Sequence, residues 1–139
     1  MVFQDRKGYE DAWRKHHTSA VTRDIWLYDL ENDSYKQISN FEGEDREPVF
    51  SADGKKVFYL NEKNGTQNLY VKNLSSDSEE KLTNFKDFPV RHLSISDSDK
   101  LAFTWKGEVY TMTPGTQPKR LEIKVLDDAA FEAIKNMDI

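Results

Sequence analysis

A motif that returns at a fixed distance leaves a chain few ways to fold, and this chain carries one. The segment Asp24-Ile-Trp-Leu-Tyr-Asp-Leu30 recurs as Asn68-Leu-Tyr-Val-Lys-Asn-Leu74 and, more faintly, as Glu108-Val-Tyr-Thr-Met-Thr-Pro114, at spacings of 44 and 40 residues. Ile38-Ser-Asn-Phe41 is answered by Leu82-Thr-Asn-Phe85; the third copy keeps only Leu121 at that place. Between these landmarks, Phe50-Ser-Ala-Asp-Gly-Lys-Lys-Val-Phe-Tyr59 matches Ile95-Ser-Asp-Ser-Asp-Lys-Leu-Ala-Phe103 with one lysine fewer. Self-similarity at this period marks repeat architectures, in which each unit is one supersecondary element.

Alternation and turn chemistry make each unit four short strands. Ile25 and Leu27 alternate with Trp26 and Tyr28, Glu31–Ser34 supplies a turn, and Tyr35–Ile38 returns. Pro48 to Phe50 leads into Asp53-Gly54, a strong hairpin dipeptide, and Val57–Leu60 comes back. Glu62–Gly65 then turns the chain toward the next copy. A four-stranded meander every 40 to 45 residues is a β-propeller blade. The expected fold is therefore all-β: a partial propeller of about three blades, ending in a short helix.

The expected organisation is a lead-in strand or loop over 1–23, blade repeats over 24–67 and 68–107, a partial blade over 108–126, and a helical tail over 127–139. The tail reading rests on good helix formers after Asp127-Asp128, with Phe131, Ile134 and Met137 on one face. The aromatics Trp26, Tyr28, Phe58, Tyr59, Tyr70, Phe103 and Tyr110 fall at repeat-equivalent strand positions, where packing between blades accounts for them.

Composition narrows function by exclusion. A net charge of -5 is the wrong sign for general nucleic-acid binding, and the densest basic run, Arg14-Lys15-His16-His17, is short. There is no cysteine, so disulfides and thiolate metal sites are out. No apolar run approaches the roughly 20 residues of a membrane span, and Met1-Val-Phe3 leads directly into polar Gln4-Asp-Arg-Lys7 rather than a leader's apolar stretch. Compartment stays open on these grounds.

The turn Ser51-Ala-Asp-Gly-Lys55 resembles the Ser-Pro-Asp-Gly-Lys signature of the WD-like repeats in TolB-type propellers, with Ala52 in place of the usual proline. The run Trp13-Arg-Lys-His-His-Thr-Ser19 entering Asp24-Ile-Trp26 resembles a segment in the N-terminal propeller of tricorn-type serine peptidases, a likeness covering roughly residues 9 to 121. That resemblance implies a non-catalytic propeller preceding a second propeller, a PDZ-like module and a peptidase domain, and favours the periplasm over the cytoplasm of a bacterium. It implies a segment that binds or guides peptide or unfolded protein substrates and contacts other domains of its parent. The alternative is a stand-alone TolB-like module docking a partner protein.

No residue here matches a catalytic position of that family. Ser19, Ser39, Ser51, Ser94 and Ser96 lack a Gly-x-Ser-x-Gly elbow, so no catalytic residue is assigned and any peptidase activity is expected from elsewhere. His16 and His17, being adjacent, would point to opposite faces of a strand and chelate one ion poorly. No metal or cofactor is expected. Glu42, Glu44, Asp45 and Glu47 read as a solvated acidic loop or, more sharply, as an acidic rim that attracts cationic peptides. The candidate peptide contacts are Trp13, Arg14, His16, His17, Glu44 and Asp45. An open set of blades would also expose blade faces, which makes self-association an expectation.

Overall fold

Eleven strands in three antiparallel sheets make up the described part of the computed structural model, which covers residues 1–5 and 22–125. The first sheet runs β1 (Val2–Gln4), β2 (Ile25–Asp29) and β3 (Ser34–Gln37). The second is a four-stranded meander of β4 (Asp45–Phe50), β5 (Lys56–Asn61), β6 (Asn68–Asn73) and β7 (Glu79–Lys81). The third repeats it with β8 (Arg91–Ile95), β9 (Leu101–Trp105), β10 (Glu108–Met112) and β11 (Lys119–Arg120). No helix occurs among the described residues; the helical tail expected over 127–139 lies outside them.

The sheets and the sequence repeat are out of phase by half a unit. The Glu62–Gly65 turn, which sequence places between copies, is the hairpin of β5 and β6 inside one sheet, with Leu60 opposite Leu69 and Tyr59 opposite Tyr70. The crossings between sheets are instead the links after β3 and after β7. Each motif-to-motif length therefore gives two strands to one sheet and two to the next.

Strand β5 explains why three sheets stack. Val57 to Leu60 are each at most 1% exposed, so both faces of the strand are covered. Val57 and Tyr59 join Ile25, Ile38 and Tyr70 in a core against the first sheet. Phe58 and Leu60 join Leu69, Val90, Leu93, Leu101, Phe103 and Met112 in a core against the third. A run buried on both faces has no polar alternation to spare, and Val-Phe-Tyr-Leu supplies none. Of the repeat-equivalent aromatics, Phe58, Tyr59, Tyr70 and Phe103 are buried, Tyr110 packs beside Phe103 and Phe85, and Tyr28 stacks on the exposed Tyr35.

The landmark residues have one job each, repeated. The N–H groups of Ile38, Leu82 and Leu121 donate to the carbonyls of Ile25, Leu69 and Val109, extending three outer strands by the same bond. The hydroxyls of Ser39 and Thr83 accept from the N–H of Ile25 and Leu69, at 2.7 and 2.9 Å, where the ladder has run out of carbonyls. The Ala52 substitution also acquires a reason. Its N–H donates to Asp99 Oδ1 of the next sheet's hairpin at 2.6 Å, a bond proline could not make. Asp99 itself takes the left-handed conformation (φ 58°) that Gly54 takes one sheet earlier (φ 69°), a region aspartate tolerates better than most residues.

Replacing Thr83 by valine keeps volume but strands the buried Leu69 N–H and removes one of the donors to Asn68 Oδ1. We expect a loss of about 1–3 kcal/mol, read from the guanidinium unfolding midpoint. A midpoint equal to that of the unsubstituted chain would show that the hydroxyl is not part of the ladder.

Candidate functional site

The link between the first and second sheets, Ser39 to Glu44, carries two of the four acidic residues picked out by sequence, Glu42 and Glu44, with Asp45 directly after it, and its end is buried. Glu42 is exposed, but Glu44 is 2% and Asp45 0% accessible. Glu44 Oε2 accepts from Arg46 Nε at 2.8 Å and from Arg23 Nη1 at 3.2 Å, so two guanidinium groups neutralise one carboxylate. Its N–H donates to Glu62 Oε1, and its carbonyl accepts from Gln67 Nε2. Gly43 makes this possible: a Cβ there would lie 2.4 Å from the Phe41 ring and 2.8 Å from Glu62 Oε1. The expectation of a solvated acidic loop fails here because the link is the seam where two blades meet.

Asp45 opens β4, its N–H donating to the Arg23 carbonyl, and its Oδ1 accepts from Asn61 Nδ2. The corresponding residue of the next sheet is Val90, whose N–H donates to the Gln67 carbonyl in the same way. One repeat thus buries a carboxyl where the next buries a valine. Burial pushes the Asp45 carboxyl up to about 7, against the opposing hydrogen bonds of Ser39 and Asn61 and with the help of the nearby Asp24 charge. An ionised carboxylate is costly in such a place even with these hydrogen bonds, and the group relieves the cost by keeping its proton to higher pH.

The edge strands β1, β4 and β8 draw together on one side of the stack. The N–H of Glu47 donates to Gln4 Oε1 at 2.7 Å, and Glu47 Oε2 accepts from the Leu93 N–H at 2.6 Å, so one residue, through its backbone and its side chain, ties three sheets. Glu47 and His92 sit at equivalent β-bulges, in β4 and β8, and both have positive φ (53° and 57°). Bulges at such edges re-aim side chains. His92 is exposed, with Nδ1 2.9 Å from Thr104 Oγ1. Arg46, Glu47, Arg91 and His92 thereby form a polar wall along the converging edges.

Of the candidate contacts named from sequence, Trp13, Arg14, His16 and His17 lie outside the described residues. Glu44 and Asp45 come together at the seam, with their carboxyls turned to partners within the chain. Sequence reasoning did not single out Arg23, Asn61 or Gln67. The signal was present in part, since Arg23 and Gln67 are 44 residues apart, polar pairs flanking the repeated motif. Among the described residues no group of three or more histidines and carboxylates stands in reach of one metal ion.

Comparison with known proteins fits this geometry. Residues 6–89 match the family model of the dipeptidyl peptidase IV (DPP IV) N-terminal region. The tricorn protease of Thermoplasma volcanium is 26% identical over 113 residues, covering 81% of this chain but only 11% of that protein. A crystal structure of tricorn protease superposes with a TM-score of 0.74 at 23% identity, over 91% of this chain and 12% of the other. TolB from Acinetobacter baumannii gives 0.62 at 24% identity, over 72% of this chain and 26% of TolB. The chain thus spans about a tenth of the tricorn proteins it matches. Its three sheets are partial propeller blades of the tricorn and TolB kind.

The Asp45 carboxyl sets a pH dependence with a definite sign. It holds its proton more tightly folded than unfolded, so its contribution is intact below about pH 4 and is lost as the pH rises through about 7. Asp45→Asn cannot lose that proton. Its stability relative to the unsubstituted chain should be level near pH 4 and higher by roughly 2–4 kcal/mol at pH 8. Guanidinium melts across this range read the difference, and a gap that stays constant with pH would contradict the buried neutral carboxyl.

Proposed function

Because the chain belongs to the family of the dipeptidyl peptidase IV N-terminal region, with the match running over residues 6–89, we propose that it is a non-catalytic propeller segment of a tricorn-like peptidase that binds or guides peptide substrates. The observation that carries the reading is the wall of converging edges. Arg46, Glu47, Arg91 and His92 place charges of both signs and an imidazole along β4 and β8, the converging edge strands of their sheets. The Glu47 and Leu93 N–H groups already bond to the Gln4 and Glu47 side chains, so a peptide meets this wall through its polar side chains and charges, with the exposed His92 as the contact most open to it. The serines of the described residues serve as turn and ladder partners: Ser39 accepts the Ile25 N–H, and Ser51 accepts the Lys56 N–H. Hydrolysis on this reading belongs to other parts of a longer protein. The likeness to TolB supports a second reading, a stand-alone module that docks a folded partner protein.

The two readings differ in what they bind. Fluorescein-labelled unstructured decapeptides should raise their anisotropy saturably with the 139-residue chain, and His92→Asn, which keeps the left-handed backbone accessible, should weaken binding several-fold. Flat anisotropy to millimolar chain, or binding indifferent to His92, would remove the peptide-guiding role and leave the docking module.

A further inference from the structure

The two interfaces between sheets ought to be copies of each other, and at one place they are not. Register makes Glu79, opposite Lys72, the counterpart of Pro118, and makes Tyr70, opposite Lys81, the counterpart of Tyr110, opposite Arg120. In the first interface the space around Tyr70 is filled. Lys63 Nζ lies 4.8 Å from the centre of its ring and pairs with the Glu79 carboxylate, which also accepts from the Tyr59 hydroxyl. Asn64 donates to the Tyr70 hydroxyl.

In the second interface every one of these fillers is gone. The hairpin between β5 and β6 has six residues, Glu62 to Gln67, and supplies Lys63 and Asn64. The hairpin between β9 and β10 has two, Lys106 and Gly107. This difference of four residues is the whole of the drop in repeat spacing from 44 to 40. Pro118 replaces Glu79, and Phe103, without a hydroxyl, replaces Tyr59. What is left is an open cleft of about 410 Å³, lined by Lys81, Thr83, Phe85, Tyr110, Gln117 and Pro118 among others. That volume lies in the range of small-ligand sites. Among the described residues no side chain bonds the Tyr110 hydroxyl.

The lining selects an occupant by charge and shape. Its ionised residue is a cation, Lys81, whose ammonium has a neutral partner, Asn84 Oδ1 at 2.9 Å, and no carboxylate among the described residues. The Phe85 and Tyr110 rings, edge to face at 5.4 Å, and Pro118 form the apolar part. We propose that this cleft is a binding site for an acidic peptide segment, whose glutamate or aspartate carboxylate stands in for Glu79 while a neighbouring aliphatic side chain rests on Phe85, Tyr110 and Pro118. The site lies at the outer strands, away from the wall formed by β4 and β8, so it stands or falls separately from the peptide-guiding reading.

The probe is acetyl-Leu-Glu-Leu-amide, with the Gln and Lys versions of its central residue as comparisons, titrated into ¹⁵N-labelled chain. The Glu peptide should shift the amide resonances of Thr83, Asn84, Phe85, Tyr110 and Gln117 saturably. The Gln peptide should bind roughly tenfold more weakly, the value of about one charge-assisted hydrogen bond, and the Lys peptide more weakly still. Lys81→Gln should lose the preference for Glu over Gln. Pro118→Glu, which restores the carboxylate of the first interface, should weaken the Glu peptide while leaving the rest of the spectrum in place. Equal affinities for the Glu and Gln peptides, shifts centred on other residues, or no shift at several millimolar peptide would each overturn the proposal.

Discussion

Everything in this structure depends on covering both faces of a twisted sheet. A four-stranded sheet presents two faces, and the described residues, which hold no helix, bury them against further sheets. Strand β5 shows the constraint at its tightest, with Val57 and Tyr59 committed to one neighbour and Phe58 and Leu60 to the other. Stacking then brings edge strands β1, β4 and β8 together on one side, where Glu47 bonds to both flanking sheets. The stacking follows from burial first and from hydrogen bonding second.

Between the sheets the chain must cross without leaving backbone groups unpaired, and this sets the polar chemistry of the molecule. Ser39 and Thr83 complete ladders with hydroxyls; Glu44 organises Arg23, Arg46, Glu62 and Gln67 around the first crossing. A buried ionic cluster of this sort adds little net stability over an apolar seam, because desolvation offsets the attraction. Its effect here is on position: it fixes the crossing at one geometry, with Gly43 admitting Phe41 and Glu62 at close range. Asp45 in one sheet and Val90 at the equivalent place in the next show that the fold accepts either solution where the chain enters an edge strand.

The irregularities of the repeat are where individuality enters. Ala52 in place of proline frees an N–H that links two hairpins. A hairpin shortened from six residues to two leaves the Tyr110 hydroxyl, among the described residues, without the side-chain bond that Asn64 gives Tyr70. A repeat protein can change function in this way without disturbing its core, since loops alter at the ends of strands while faces keep their packing.

The sequence by itself determined the all-β class, the period, the aromatic strand positions and even the faint third landmark, Leu121, whose N–H makes the same bond as Ile38 and Leu82. These were legible because alternation, turn dipeptides and repetition are local properties, carried by residues a few positions apart. Tertiary structure alone decided which pairs of strands share a sheet, because a motif repeating every 44 residues can be cut into units at any phase. It also decided the fate of the acidic residues. Four acids in six positions, Glu42 to Glu47, read locally as a solvated loop, but Glu44 meets Arg23 from 21 residues away and Asp45 meets Asn61 from 16. Burial of a charge is set by partners that only the folded chain brings within reach, and no local pattern encodes them.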